Sequence, residues 1–346
     1  MTNKIKVLIV DDSALIRMLL TKTLSESPDI EVVGSAEDPF VAREMIKKLN
    51  PDVLTLDIEM PKMDGLTFLK NLMRLRPMPV IMVSTLTKKG ANVTLKALEY
   101  GAVDFVAKPD SDIRENLIAY TGLLVEKIKT AAKANVSHTN LDTTKQISNA
   151  VARKPTKLSK VDIITVGAST GGTEAIKTLM MSLPTNLPPI VIAQHIPPVF
   201  STSFAKRLND STQITVIEPT ETMELKYGHA YLAPGDDHMK IFRRGGKLYL
   251  KIERTELVNR HRPSVDVLFN SVEETCGKNV LAVILTGMGN DGAKGLKKLN
   301  EIGAHTIAQD EATSVVWGMP GSAVALGAAS EVLSLSRIPK RLLSLV

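Results

Sequence analysis

Cysteine is almost missing from this 346-residue chain. The single one, Cys276, excludes an internal disulfide framework. Aromatic residues are scarce at 4%, which argues against a base-stacking surface for nucleic acid. No apolar run reaches the ~18 residues that suggest a membrane span. The N-terminal apolar stretch is short and leads straight into Asp11-Asp12, as a buried strand does and a signal peptide does not. These absences predict a cytoplasmic protein without membrane insertion. A large excess of one charge is also absent from most of the chain. Residues 1–130 carry 18 basic and 18 acidic side chains, whereas 131–160 carry six basic and one acidic. The net charge of +6 therefore lies mostly in one segment, which reads as a solvated basic linker and not as a nucleic-acid arm.

What is present is an ordinary globular composition, 44% hydrophobic and 23% charged, long enough for two domains. Short β-branched runs alternate with helical spacing over the first part. Strands are expected at Lys4–Val10, Ile30–Gly34, Val53–Leu56, Val80–Val83 and Val103–Ala107. Helices are expected at Ala14–Ser27 (capped by Ser13), Pro39–Leu49, Gly65–Leu75, Val93–Glu99 and Ile113–Ala132. This predicts a five-stranded parallel, doubly wound α/β domain. From about 133 to 158 the apolar period disappears. It resumes with strands Asp162–Val166, Ile190–Gln194, Ile214–Ile217, Ala230–Ala233, Leu281–Leu285, Thr306–Ala308 and Val332–Leu335. Helices are expected at Glu174–Leu183, Phe200–Leu208, Val265–Thr275, Ala293–Ile302 and Ala323–Ala329. Arg243-Arg244-Gly245-Gly246, between Met239–Phe242 and Lys247–Ile252, signals a hairpin. The second domain is thus a doubly wound α/β fold with an antiparallel hairpin. The expected boundaries are 1–128, a linker at 129–158, and 159–346.

In a parallel sheet, function gathers beyond the carboxyl ends of the strands. Four strand ends of the first domain deliver Asp11-Asp12, Asp57, Ser84 and Lys108 to that edge. Clustered carboxylates repel unless a cation intervenes, and a hard ion such as Mg²⁺ suits oxygen ligands. Such a cluster can hold a phosphoryl group on a carboxylate, with Ser84 and Lys108 meeting its oxygens. Each aspartate alone is equally well a turn former or a helix cap. With Lys108-Pro109 the set resembles a response-regulator receiver domain over residues 1–125. The resemblance implies phosphotransfer from a histidine kinase to Asp57. It also implies Mg²⁺ held by the acidic pair Asp11-Asp12, by Asp57 and by the backbone carbonyl of Glu59. Phe105, three before the lysine, takes the place of an aromatic switch residue.

In the second domain, Asp162–Val166 runs through Gly167-Ala168-Ser169-Thr170-Gly171-Gly172 into a helix. A strand, a tight turn and a helix lift a serine hydroxyl to the sheet edge. A phosphate cradle is the competing reading. It is weakened because the string lacks the G-x-G-x-x-G spacing and the P-loop lysine, and because His195, not an acid, ends the next strand. A serine nucleophile needs a base and an orienting carboxylate. Of six histidines (138, 195, 229, 238, 261 and 305), His195 alone directly follows the apolar strand after Ser169. Asp291 follows strand Leu281–Leu285 and reads as the partner of His195 or as a helix N-cap, two roles that need not exclude each other. The amide of Met288 in the same loop is a candidate oxyanion donor. Cys276 and Trp317 read as packing residues, and Arg260, His261 and Arg262 as a basic turn that is either solvated or meets an acidic surface.

The strings G-A-S-T-G-G, A-Q-H-I-P, Y-L-A-P-G, H-R-P-S-V-D-V-L-F and L-T-G-M-G-N-D-G resemble the catalytic domain of chemotaxis protein-glutamate methylesterases over residues 160–346. This implies a triad of Ser169, His195 and Asp291 acting on glutamyl methyl esters of chemoreceptors, often with receptor glutamine deamidation. No cofactor is implied at that site. Two other classes are a DNA-binding regulator, disfavoured by a nearly neutral, sheet-rich second domain, and a non-enzymatic, phosphorylation-regulated receptor adaptor.

Overall fold

The computed structural model describes residues 4–85, 87–108, 117–136 and 161–346. Pro109, His138, Ile113 at the start of the expected last helix, and residues 137–158 of the expected linker lie outside the described residues. Two compact units, Met1–Asn140 and Leu141–Val346, make up the chain.

The first unit runs β1 (Ile5–Val10), α1 (Ala14–Ser25), β2 (Ile30–Ala36), α2 (Pro39–Leu49), β3 (Val53–Asp57), α3 (Gly65–Leu75), β4 (Val80–Ser84), α4 (Lys88–Glu99), β5 (Asp104–Ala107) and α5 (Leu117–Ala131). Its strands pair in the order β2-β1-β3-β4-β5, all parallel. Burial on both faces explains the unbroken apolar runs: Val7 to Val10 and Val80 to Val83 are at most 1% exposed. Ser13 caps α1, its hydroxyl accepting from the Ile16 amide at 3.4 Å. Helix α4 begins five residues earlier than expected, because Thr87 caps it by accepting from the Gly90 amide at 3.0 Å. The strand order reverses between β1 and β3, so the residues after these two strands share a crevice.

The second unit runs β6 (Ile163–Ala168), α6 (Gly172–Met181), β7 (Ile190–Gln194), α7 (Pro198–Ser211), β8 (Thr215–Ile217), β9 (Met223–Glu224), β10 (His229–Leu232), β11 (His238–Arg244) and β12 (Lys247–Glu253). It continues with α8 (Val265–Cys276), β13 (Val280–Ile284), α9 (Ala293–Glu301), β14 (His305–Gln309), α10 (Met319–Ala325), β15 (Glu331–Leu333) and α11 (Ile338–Leu345). Seven parallel strands follow the order β15-β14-β13-β6-β7-β10-β8. The chain leaves β6 toward β7 and later returns to β13 on the other side. This puts the topological switch at the end of β6, just before Ser169.

The expected hairpin, β11 and β12, forms a separate antiparallel sheet with the short strand β9, which the sequence patterning did not indicate. Helix α8 packs against it. Met239, Ile241 and Leu250 join Leu268, Phe269 and Val272 in one buried cluster. Two hydroxyls of α8 also meet the β11 backbone: Ser271 accepts from the Ile241 amide at 3.0 Å, and Thr275 donates to the Ile241 carbonyl at 2.9 Å. The body of α8 is therefore held against the hairpin, which matters for the site that its first residues border.

Gly65 shows how tightly one strand end is packed. A Cβ there would fall 1.9 Å from the Asp57 carbonyl oxygen, a backbone atom that cannot swing aside. Gly122, inside α5, has nothing within 4 Å of the corresponding point. Chemical denaturation of the intact chain should therefore give opposite signs. Gly65→Ala should destabilise by ~1–3 kcal/mol through overpacking. Gly122→Ala should stabilise by ~0.5–1 kcal/mol through helix propensity. Equal effects at the two sites would contradict the packing described.

Candidate active site

At the first sheet edge, Asp11, Asp12 and Asp57 bring carboxylate oxygens within 4.8 Å of one another. Arg17 shapes the turn after β1, donating to the carbonyls of Asp11 and Asp12 at 2.8 and 2.9 Å. The Ile58 amide donates to Asp57 Oδ1 at 2.7 Å. The other oxygen, Oδ2, faces Lys108 Nζ at 2.8 Å, which also lies 3.3 Å from Asp11 Oδ2. Ser84, buried at the end of β4, accepts from Thr94 Oγ1 at 2.8 Å.

Burial pushes the Asp57 carboxyl up to about 6, although Lys108 pulls it back down, and Asp11 adds repulsion. Burial likewise raises Asp11 against the pull of Lys108. Burial lowers the Lys108 ammonium, but Asp57 and Asp11 outweigh it and leave the group above its ordinary value. The site therefore holds more negative charge than its one lysine offsets. The Oδ2 atoms of Asp11 and Asp57 are buried and accept no hydrogen bond beyond that ion pair. An all-oxygen set of this kind fits a hard divalent cation such as Mg²⁺. The Glu59 carboxylate is not part of it. It is exposed and lies 3.8 Å from Lys89, so any contribution of Glu59 is confined to its backbone carbonyl.

At the second edge three neighbouring strands converge. Ser169 follows β6, His195 follows β7, and Asp291 lies in the loop after β13. Backbone bonds fix this junction. The Ser169 amide donates to the Thr286 carbonyl at 3.0 Å, and the His195 amide to the Ala168 carbonyl at 3.2 Å. Gln194, 3% exposed, ties the two ends together, its Nε2 donating to the Ser169 and His195 carbonyls at 2.9 and 3.0 Å. The His195 ring bridges the other two side chains. Nδ1 lies 3.1 Å from Ser169 Oγ, and Nε2 lies 2.8 Å from Asp291 Oδ2.

Asp291 resolves the two readings that its sequence position allows. Its carboxylate does cap a helix, but that helix is α8 and not the α9 that follows it. Oδ2 accepts from the Val265 amide at 2.6 Å, and Oδ1 from the Asp266 amide at 3.2 Å and the Ser264 hydroxyl at 2.8 Å. Asn259 Nδ2 adds a bond to Oδ1 at 2.6 Å. Burial pushes this carboxyl up, yet His195, Asn259 and the Val265 amide together hold it far below the usual carboxylate range. An ionised Asp291 keeps the proton of neutral His195 on Nε2 and leaves Nδ1 as an acceptor facing Ser169.

Gly287, one residue before Met288, packs onto the serine so closely that a Cβ would stand 2.9 Å from Ser169 Cβ. Met288 is half-buried on the same loop. Trp317 braces the loop through a parallel bridge to Gly287, and its Nε1 donates to the Gln309 carbonyl at 3.2 Å.

Two residues at the site escaped the sequence reading, Asn259 and His261. His261, left aside as part of an exposed turn, stacks on the His195 ring with centroids 3.6 Å apart. Neither lies at the end of a main-sheet strand, so the strand-end logic that found the others passes over them.

A family model described as CheB methylesterase matches residues 164–342, and one described as response regulator receiver domain matches residues 7–118. A Yersinia pestis protein named protein-glutamate methylesterase/protein-glutamine glutaminase is 52% identical over 342 residues, covering 99% of this chain and 97% of its own length. A Hydrogenovibrio crunogenus protein of the same name is 50% identical over 377 residues, covering 99% of both chains. The crystal structure of the Thermotoga maritima CheB methylesterase catalytic domain superimposes with a TM-score of 0.53 at 40% identity, covering 54% of this chain and 99% of that one.

Two outcomes follow from the geometry. Asp291→Asn keeps the shape but removes the charge that sets the His195 tautomer, so kcat for ester hydrolysis should fall by ~10⁴-fold. A loss below tenfold in steady-state kinetics would contradict that role. Mg²⁺ should raise the melting temperature of the intact chain, and a combined Asp12→Ala and Asp57→Ala variant should lose the rise. A wild-type chain indifferent to Mg²⁺ would contradict the acidic cage.

Proposed function

The chain belongs to the CheB methylesterase family, and from that premise we propose that it is a phosphorylation-activated protein-glutamate methylesterase acting on chemoreceptors. It converts protein glutamyl methyl esters and water to glutamate and methanol in chemotactic adaptation. The observation that carries this reading is the chain of contacts from Ser169 Oγ through the His195 ring to Asp291, at 3.1 and 2.8 Å. We assign the expected 1–128 to the receiver, lengthened to Ala131 because α5 continues to that residue, the segment from there to 158 to the linker, and 159–346 to the methylesterase.

The reaction is acyl transfer. Ser169 Oγ attacks the side-chain ester carbonyl while His195 Nδ1 takes the hydroxyl proton. Asp291 stabilises the imidazolium that results. The backbone amide of Met288, in the loop after β13, receives the oxyanion. His195 returns the proton to the departing methoxide, and methanol leaves. Water, deprotonated by His195, then releases glutamate from the acyl-enzyme. A receptor glutamine carboxamide enters the same sequence with ammonia as the leaving group.

In the receiver, Asp57 accepts the phosphoryl group from a histidine kinase. Lys108 and the Ser84 hydroxyl meet its oxygens. Mg²⁺, held by Asp11, Asp12, Asp57 and the Glu59 carbonyl, supplies charge neutralisation when bound. Among the described residues no helix is long and apolar enough to cross a membrane. The reading places the protein in the cytoplasm. Neither step calls for nucleic acid.

Methanol release from methylated receptor membranes tests the reading, with and without a small-molecule phosphodonor. Wild type should release methanol and accelerate with the donor. Ser169→Ala should lose at least ~10³-fold in rate. Asp57→Ala should no longer respond to the donor. Normal release by Ser169→Ala would overturn the assignment of the nucleophile, and no release by wild type would leave a non-enzymatic adaptor as the better account.

A further inference from the structure

We infer that His261 is a positioning residue for His195, acting through the face of its ring; this rests on the hydrolase reading above. The two imidazoles lie 3.6 Å apart between centroids with planes inclined by 12°. His195 is otherwise held by partners at its two ring nitrogens, Ser169 at Nδ1 and Asp291 at Nε2. Both bonds lie near the ring plane and resist displacement of the ring out of that plane only weakly. Rotation about the His195 Cβ–Cγ bond is such a displacement, and it carries Nδ1 and its lone pair away from Ser169 Oγ. A flat group against one face of the ring opposes it.

The chain builds that flat surface at a conformational cost. Val258 and His261 pair as an antiparallel bridge. The Val258 amide donates to the His261 carbonyl at 3.2 Å and the His261 amide to the Val258 carbonyl at 2.9 Å. Between them Asn259 (φ 53°) and Arg260 (φ 66°) both adopt the left-handed conformation, as a type I′ turn demands and as side chains other than glycine disfavour. The turn is anchored at its far side, where Arg262 Nε and Nη2 donate to Asp236 Oδ1 at 3.0 and 2.6 Å. Its other inner residue, Asn259, reaches Asp291 and also donates to Asp266 Oδ2 at 2.8 Å. One strained turn therefore touches His195 on its face and, through Asp291, at its edge. A connection that merely joined β12 to α8 has no need of either contact.

The test uses the full chain and methanol release from methylated receptor membranes, with kcat and KM measured separately. His261→Ala should lower kcat by ~10–100-fold with KM unchanged, the size expected when a reacting group is misplaced. His261→Leu, which fills space without a flat face, should behave in the same way and serves if the alanine variant folds poorly by circular dichroism. His261→Phe keeps a flat ring without ring nitrogens and should stay within about threefold of wild-type kcat. Wild-type kcat in both the alanine and leucine variants overturns the inference. A loss expressed in KM also overturns it, and places His261 in receptor docking. A phenylalanine variant as slow as alanine overturns it too, because the ring nitrogens would then matter more than the face. Wild type and Ser169→Ala run alongside. If these two release methanol alike, the hydrolase reading has failed, whatever the His261 series shows.

Discussion

A buried carboxylate stays ionised only where donors replace the water it has lost. Asp291, 1% exposed, has five: the Val265 and Asp266 amides, the Ser264 hydroxyl, the Asn259 amide group and His195 Nε2. Two of them are free amides at the start of α8, where the helix dipole also favours negative charge. The ionised carboxylate then decides which nitrogen of His195 carries a proton, and so which faces Ser169. The packing of α8 on the β11–β12 hairpin is in this sense part of the catalytic apparatus. It supports the helix whose first amides hold the acid.

The two sheet edges solve the same electrostatic problem in opposite ways. The first gathers three aspartates beside Lys108, and burial pushes Asp57 up to about 6. That is a site with spare negative charge, suited to receiving a cation and then a phosphoryl group. The second surrounds one carboxylate with neutral donors and holds it down, which suits a fixed counter-charge to an imidazolium. Both lie at topological switch points of parallel sheets, where helices on the two sides part and leave a crevice. The shared architecture gives the place, and the side chains set the chemistry.

Residues at strand ends were legible in the sequence because a parallel sheet converts chain order into position. Asp57, Ser84, Lys108, Ser169 and His195 each follow an apolar run, and the structure brings each to the expected edge. The start of α1 was legible because the cap Ser13 stands directly before its apolar period. The start of α4 was missed because its first turn, Lys88-Lys89-Gly90, carries no apolar period. Asn259 and His261 were hidden for a different reason. Their turn is defined by left-handed backbone angles at two residues other than glycine, and its meaning comes from Asp291 and His195, far away in the chain. The capping of α8 by Asp291 was equally invisible, since the helix it caps starts 26 residues earlier. Local signals report local structure, and this part of the site is assembled entirely from distant segments.

The central claim is that ionised Asp291 holds neutral His195 with its proton on Nε2 and a bare Nδ1 toward Ser169. Nitrogen-15 NMR of the ring at mildly alkaline pH reads this directly. The account predicts a protonated Nε2 whose proton is shifted far downfield and lost in Asp291→Asn, together with a nitrogen at Nδ1 that carries no proton. A ring protonated on Nδ1 and bare at Nε2 would contradict it, because that tautomer cannot take the proton of Ser169.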